Sequence, residues 1–160
     1  MKSHTINWPD RYRPENCAVH VANELAMGVA PAAVWDCLIE ASQWSQWYEN
    51  AADVVIRDAA DGKLHDGAHF RWKTFGVTID SKVEEFVSNE RIAWSATAFG
   101  LDVYHAWLIV PTPEGCRVIT EETQNGFLAR LGHLLRPGSM HKYHQIWLEG
   151  LLDRAKERAR

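Results

Sequence analysis

The chain lacks the features that would tie it to a membrane or to a nucleic acid. No stretch approaches the run of roughly 18 apolar residues that a membrane-spanning helix needs, and the first ten residues contain no apolar core of a signal peptide. The net charge is only −4, and acidic and basic residues are interleaved along the chain. A nucleic-acid surface would show a clustered basic face. We therefore expect a cytoplasmic protein without a membrane span and without a nucleic-acid partner.

Cysteine is also scarce, which excludes a disulfide scaffold. Cys17, Cys37 and Cys116 are odd in number, widely spaced and form no Cys-x-x-Cys pair. No glycine-rich phosphate loop and no Gly-x-Ser-x-Gly elbow occur, so nucleotide cofactors and acyl-enzyme chemistry are disfavoured. His141 and His144 have a spacing that could begin a metal site, but no neighbouring motif supplies a third ligand. We expect no cofactor and no metal.

Large aromatic side chains, in contrast, are abundant. Eight tryptophans in 160 residues are unusual, and they either line a pocket or fill the core; the length suits one domain with room for a cavity. Residues 1–16 are bounded by prolines and have no helical or strand period, which predicts an extended N-terminal arm laid over the body. Residues 17–160 are predicted to form a single domain. No pattern in the sequence predicts an oligomeric state.

The order of the predicted elements is β-α-α-β-β-β-β-β-β-α. Residues 17–27 alternate like a strand, Pro31 begins a helix, and Ser42 is predicted to cap a second short helix that reaches Tyr48. The later strands are predicted at residues 54–57, 69–74, 77–87, 91–98, 102–110 and 117–123, and their short links favour antiparallel hairpins. From Gly126 the pattern is helical to the C-terminus, with a break at Pro137.

Several motifs in this order resemble those of one large superfamily. They are Ala30-Pro31-x-x-Val34-Trp35, Trp44-x-x-Trp47-Tyr48, Leu64-x-x-Gly67-x-x-Phe70-x-Trp72, Arg91-Ile92-Ala93-Trp94, His105-x-Trp107, Gly115, Glu122-Thr123-Gln124-x-Gly126 and Trp147-Leu148-x-x-Leu151. Together they resemble the SRPBCC superfamily of START-like lipid-transfer proteins, polyketide cyclases and pollen allergens, and most closely its bacterial polyketide cyclase/dehydrase-like branch.

The resemblance implies an α+β helix-grip fold. In that fold a curved antiparallel sheet of about seven strands wraps around a long C-terminal helix and encloses an apolar cavity. The cavity binds lipids, polyketides, hormones or other hydrophobic molecules. Because members include carriers, sensors, chaperone regulators and enzymes, the fold alone does not choose the activity.

Hairpin geometry predicts a polar pair on the sheet. If residues 111–115 form the loop between the last two strands, His105 lies opposite Glu121 or Glu122. Trp94 and Trp107 are expected on the same face as His105. A carboxylate there would raise the pKa of His105 and prepare it for acid–base chemistry near neutral pH. A hydrogen-bonded pair that only fixes strand register is the alternative.

The closing helix is predicted to turn one face toward the sheet. Met140, Tyr143, His144 and Trp147 share that face, and Tyr143 and His144 either orient a ligand or belong to the core. The predicted ligand-binding residues are Phe70, Trp72, Trp94, His105, Trp107, Glu122, Met140, Tyr143 and Trp147. Phe75 and Phe99 are predicted at the pocket mouth, beside the break at Pro137, and His105 and Glu122 are the catalytic candidates.

Three functions remain open at this point. The first is binding of a hydrophobic small molecule between the sheet and the closing helix. The second is a polyketide cyclase or dehydratase that uses His105 as general base with Glu121 or Glu122 orienting it. The third is an interaction module that resembles the chaperone-activator branch and works through its outer surface.

Overall fold

The computed structural model describes residues 4–160 and contains one seven-stranded antiparallel sheet in the order β1-β7-β6-β5-β4-β3-β2. Its elements are β1 (Val19–Met27), α1 (Pro31–Ile39), a 3₁₀ helix (Ala41–Gln46), β2 (Ala52–Ile56), β3 (His69–Thr74), β4 (Val77–Val87), β5 (Arg91–Ala98), β6 (Leu101–Thr112), β7 (Gly115–Asn125), α2 (Phe127–Leu135) and α3 (Ser139–Arg158). The predicted α+β helix-grip fold is confirmed.

The two faces of the curved sheet are covered by different parts of the chain. On the concave face, α3 packs along β1 and α1, and its Trp147 side chain reaches the rings of Trp72 on β3 and Trp94 on β5. On the opposite face, Tyr104 and Ala106 of β6 are buried beneath the N-terminal arm. This double cover explains why β6 is buried at consecutive positions, whereas β3 alternates between buried and exposed residues.

The described part of the arm, residues 4–16, contains two single-turn 3₁₀ helices, Asp10–Tyr12 and Pro14–Asn16, where the sequence predicted an extended segment. The first turn closes when the Tyr12 N–H donates to Pro9 O at 2.8 Å, and Pro14 occupies the first position of the second turn. Tyr12 stacks on Tyr104 with ring centroids 5.1 Å apart. The predicted arm also includes residues 1–3, which lie outside the described residues.

The second predicted helix is a 3₁₀ helix, and the prediction that Ser42 caps it is wrong. The helix begins at Ala41, Glu40 precedes it, and no side chain caps it. The Ser42 N–H instead donates to Gly62 O at 3.3 Å, which ties this helix to the loop before β3. The helix buries Trp44, whose Nε1–H donates to Leu38 O at 3.0 Å.

The predicted break in the C-terminal tract is present. Gly138 has φ 82°, a left-handed conformation that suits glycine, and α3 begins immediately after it. Within α2 only Ala129 is buried, while Leu134 is 75% exposed and Leu135 is 69% exposed. Among residues 4–160, no helix is long and apolar enough to cross a bilayer.

Candidate functional site

A cavity of about 580 Å³ lies between the concave face of the sheet and helices α2 and α3. Its wall is mostly apolar and includes Ile79, Ala96 and Val103 of the sheet, with Leu128 and Ala129 of α2. Ligand pockets in proteins typically enclose about 300–1,000 Å³. The cavity therefore has the size and the lining of a site for a small hydrophobic molecule.

Most of the predicted binding residues line this cavity. They are Trp72, Trp94, His105, Glu122, Met140 and Trp147, together with the predicted mouth residue Phe75. Alternation along the strands and helical spacing on α3 direct these side chains to one side of the sheet. The structure therefore brings together on one wall residues that are up to 75 positions apart in the sequence.

Four predicted residues lie outside the wall. Phe70 and Trp107 are buried behind it, where Phe70 packs on Trp44 and Trp107 packs on the His105 ring at 5.2 Å. Tyr143 is half-buried and contacts Phe75 with ring centroids 5.3 Å apart. Phe99 is 85% exposed and rests against Phe127. Phe99 lies in the turn between β5 and β6, where strand alternation does not fix the direction of a side chain, and Tyr143 follows the helical spacing of α3 yet contacts Phe75 beside the cavity.

The polar part of the wall is a cluster that we call the His-Glu-His trio: His105, Glu122 and His144. His105 Nδ1 lies 3.1 Å from Glu122 Oε2, and His144 Nε2 lies 3.2 Å from the same oxygen. In the sheet, His105 is directly opposite Glu122, whereas Glu121 is opposite Ala106 on the other face and pairs with His20. The β6–β7 register therefore selects Glu122 over Glu121 as the partner of His105.

Two neighbours hold the trio in place. Thr120 Oγ1 lies 2.7 Å from His105 Nε2, and the Gln124 amide donates to Glu122 Oε1 at 2.6 Å. Thr120, Glu122 and Gln124 alternate along β7, so all three point to the concave face. All members of the trio are buried, with Glu122 only 7% exposed. A buried carboxylate needs such partners because an unpaired charge is costly in an apolar surrounding.

Burial, and not the carboxylate, dominates the protonation of His105. Burial, with a smaller contribution from His144, lowers the pKa of His105 to about 3, because together they outweigh the raising effect of Glu122. Glu122 does raise the pKa of His105, as expected from the sequence, but the expectation that this would bring the pKa near neutrality is wrong. Burial alone would raise the pKa of Glu122, but His105, His144 and Gln124 together hold it below its usual value. The trio at neutral pH thus contains a neutral His105 beside an ionised Glu122.

Sequence reasoning missed several wall residues. Tyr48 stacks on Trp147 with ring centroids 4.5 Å apart, and it closes one side of the cavity. Gln124 lies two residues after Glu122 on the same strand, so alternation could have identified it. Leu128 and Ala129 belong to α2, whose docking over the cavity is a tertiary arrangement that no local pattern signals.

The trio also has the chemistry of a metal-binding group. Its two imidazole nitrogens and one carboxylate oxygen all lie within 4.8 Å of one another. The histidine pair noted in the sequence does not converge, because His144 is buried against the cavity while His141 is exposed. The residues that could hold an ion therefore come from β6, β7 and α3, and not from one helix.

Comparisons with known proteins agree with this architecture. A family model described as "Polyketide cyclase / dehydrase and lipid transport" matches residues 18–160. No curated protein matches the chain. Hypothetical protein jhp0584 from Helicobacter pylori is 31% identical in sequence, and the match covers 97% of this chain and 98% of that one with a TM-score of 0.89.

Two proteins from biosynthetic pathways share the fold at lower identity. The di-domain ARO/CYC proteins StfQ, from the steffimycin pathway, and BexL, from the BE-7585A pathway, are 18% and 17% identical to this chain. Each match covers 91% of this chain and about half of the other, 53% and 52%, with TM-scores of 0.71 and 0.68. The family match spans nearly the whole domain, and the chain belongs to the polyketide cyclase/dehydrase and lipid transport family.

Proposed function

We propose that the protein binds a hydrophobic small molecule, such as a lipid, a polyketide or another aromatic compound, in the cavity between the sheet and α3. The observation that carries the proposal is the cavity itself, about 580 Å³ with a largely apolar wall. Trp72, Trp94 and Trp147 supply flat apolar surface, and the His-Glu-His trio supplies one polar patch. A few polar groups in an apolar wall orient a ligand without dominating its affinity.

The charge of the trio narrows the ligand class. Glu122 is ionised and accepts hydrogen bonds, so a hydroxyl group of the ligand is a suitable partner for this patch. A ligand carboxylate at the same place would face a like charge in an apolar surrounding. We therefore expect phenols and hydroxylated polyketides to bind more tightly than a molecule that places a carboxylate at the trio.

The mouth of the cavity is part of the proposal. Arg136, Gly138 and Ser139 of the α2–α3 turn line the cavity, as does Phe75 from the β3–β4 turn. Phe75 is 42% exposed, so its ring borders both the cavity and the surface. We place the opening between these two turns, with Phe99 on its outer rim beside α2.

The proposal is tested by titration with a cavity-filling variant. Ala96 is buried and lines the cavity, so Ala96→Phe should occupy the space of the ligand while it keeps the trio intact. Val55→Phe introduces the same side chain at a position that is 63% exposed. We expect wild type and Val55→Phe to bind hydroxylated aromatics with quenched tryptophan fluorescence, and Ala96→Phe to bind weakly or not at all. Equal binding by both variants would place the ligand elsewhere.

A second candidate function is a cyclase or dehydratase reaction on a polyketide-like substrate. It is supported by the His105–Glu122 pair on the cavity wall. In such a reaction a base removes a proton from carbon next to a carbonyl, and that carbon attacks a second carbonyl. The new alkoxide takes that proton back from the base, and elimination of the resulting hydroxyl group together with a hydrogen on the neighbouring carbon releases water. The neutral His105 would accept the first proton as general base, and Glu122 would orient the His105 ring.

The enzymatic candidate has its own test. A thioester carrying a poly-β-ketone should yield a cyclised aromatic product, followed by absorbance, with wild type and with the surface variant Glu121→Gln. His105→Gln and Glu122→Gln should retain binding and lose product formation. Binding by wild type without product formation would contradict the enzymatic candidate and leave ligand binding as the proposed function.

The third hypothesis, a chaperone-activator-like module, stays a prediction that pull-down of a stoichiometric partner would test.

We also propose that the protein is cytoplasmic. This location is supported by Cys17, Cys37 and Cys116, which are all free thiols.

A further inference from the structure

We propose that His105, Glu122 and His144 form a binding site for a divalent first-row transition-metal ion, such as Zn²⁺, on the wall of the cavity. This inference goes beyond the proposed function, because a hydrophobic ligand can occupy the cavity without any metal. It also departs from the sequence-based expectation of no metal, which considered His144 only together with His141.

The spacing of the donor atoms fits such an ion. Glu122 Oε2 lies 3.1 Å from His105 Nδ1 and 3.2 Å from His144 Nε2. Zinc binds imidazole nitrogen and carboxylate oxygen at about 2.0–2.2 Å, so two tetrahedral ligands stand about 3.4 Å apart. Lengthening each of these two distances by a few tenths of an ångström would bring Glu122 Oε2 to that separation from both imidazole nitrogens. The three atoms are already within 4.8 Å of one another.

The groups around the donors match the outer partners of metal ligands. A ligating histidine usually donates its other ring N–H to an oxygen, which fixes the tautomer. Thr120 Oγ1 lies 2.7 Å from His105 Nε2, so donation to this oxygen would leave Nδ1 bare for an ion. The Gln124 amide holds Glu122 Oε1 at 2.6 Å and leaves Oε2 directed at the two imidazoles.

His144 supplies an independent indication. Its side chain is buried, and within the described part of the chain its Nδ1 has no hydrogen-bond partner. No second hydrogen bond therefore fixes the proton of this ring, and the tautomer with a bare Nε2 is accessible. An ion bound at Nε2 would give this buried imidazole a strong partner.

The donor set also indicates the class of ion and its coordination. Two imidazole nitrogens and one carboxylate suit Zn²⁺, Co²⁺ or Fe²⁺, whereas Mg²⁺ and Ca²⁺ prefer oxygen ligands. All three residues line the cavity, so a fourth position would face the cavity interior. A water molecule or an oxygen atom of the bound ligand would occupy it.

Hydrogen bonds can hold the same three side chains together without a metal, so the test must detect the metal ion itself. Protein freed of metal by a chelator is titrated with Zn²⁺ by calorimetry, and His144→Gln is compared with His141→Gln. His141 lies on the same helix and borders the same cavity, but its side chain is exposed and its backbone oxygen accepts a hydrogen bond from the Asn23 amide at 3.1 Å. We expect one Zn²⁺ per chain for wild type and His141→Gln. For His144→Gln we expect an affinity lower by about tenfold or more.

Co²⁺ provides a second readout on unaltered protein, in case His144→Gln does not fold. Tetrahedral Co²⁺ bound by two imidazoles should give a strong visible absorption that Zn²⁺ abolishes and Mg²⁺ leaves unchanged.

Absence of Zn²⁺ binding by wild type would overturn the proposal. So would equal affinity of folded His144→Gln and His141→Gln, which would assign the binding to surface histidines. Either result would leave the hydrophobic-ligand proposal intact.

Discussion

At the scale of single residues, the site is organised around Trp147 of α3. Its ring contacts Tyr48, Trp44, Trp72 and the His105 ring at centroid distances between 4.5 and 5.7 Å. Trp147 is 1% exposed and also lines the cavity. The same side chain therefore supports the core and forms part of the ligand surface.

Replacing Trp147 with alanine should impair stability and binding together. We expect Trp147→Ala to lower the free energy of unfolding by about 3–5 kcal/mol, as for other buried tryptophans, and to abolish ligand binding. Trp147→Phe keeps much of the apolar contact and should lose less of both. Urea denaturation and ligand titration provide the two measurements. Wild-type stability in Trp147→Ala would contradict the packing described for this residue.

Glu122 and Glu121 offer a matched pair of neighbouring carboxylates. Glu122→Gln removes the charge shared by two buried imidazoles and should cost about 1–3 kcal/mol of unfolding free energy. Glu121→Gln removes only a more exposed contact with His20 and should cost about 0.5 kcal/mol or less. Denaturant unfolding at pH 7 measures both variants. Equal costs would show that the trio is not a distinct buried cluster.

At the residue level, periodicity in the sequence indicates the face of an element on which a side chain lies. Trp72, Trp94 and Trp147 line the cavity on the faces that alternation and helical spacing indicate, whereas Phe70 and Trp107 are buried behind the wall. The protonation of His105 was not predictable in this way. It depends on burial from every side, including His144 of α3, and such burial exists only in the folded protein.

At the scale of elements, the position of the β6–β7 hairpin follows from local sequence, whereas the position of helix α2 does not. The hairpin register, with Val110 opposite Arg117, follows from the short turn and was predictable. Helix α2 buries only Ala129, so its position over the cavity depends on its attachment to the sheet. That attachment is a close approach of two glycines, Gly100 and Gly126.

Gly126→Ala should disturb α2 and leave the sheet intact. Gly126 has φ 104°, and an added Cβ would stand 2.2 Å from Gly100 O, so we expect a loss of about 1–3 kcal/mol. Gly132→Ala, in the same helix with nothing within 4 Å of an added Cβ, should instead stabilise by about 0.5–1 kcal/mol. Thermal unfolding compares the two. A harmless Gly126→Ala would contradict the close approach.

At the scale of the whole molecule, the sheet separates two packed layers. The concave layer contains the cavity, and the opposite layer contains Tyr12, Ala93, Tyr104 and Ala106 beneath the arm. The family resemblance predicted the concave layer, since the cavity is common to helix-grip folds. The 3₁₀ turns of the arm were not predicted, because they depend on contacts such as that of Tyr12 with Asp102.

This separation predicts that damage to the arm affects stability without affecting the cavity. Tyr12 is 7% exposed and stacks on Tyr104, so Tyr12→Ala should cost about 3 kcal/mol, the lower limit for a buried aromatic residue. Ligand affinity under folding conditions should stay unchanged, because the sheet lies between the arm and the cavity. A large loss of affinity in folded Tyr12→Ala would show that the two layers are coupled.

The central claim, that a hydrophobic molecule occupies the concave cavity, is tested most directly by the indole N–H signals in a ¹H–¹⁵N spectrum. The eight tryptophans report on different layers: Trp72, Trp94 and Trp147 line the cavity, whereas Trp8 packs on Tyr104 beneath the opposite face. Saturation with a hydroxylated aromatic ligand should shift the three cavity signals and leave Trp8 unchanged. Unshifted cavity signals across a chemically broad panel, or shifts confined to Trp8, would contradict the claim.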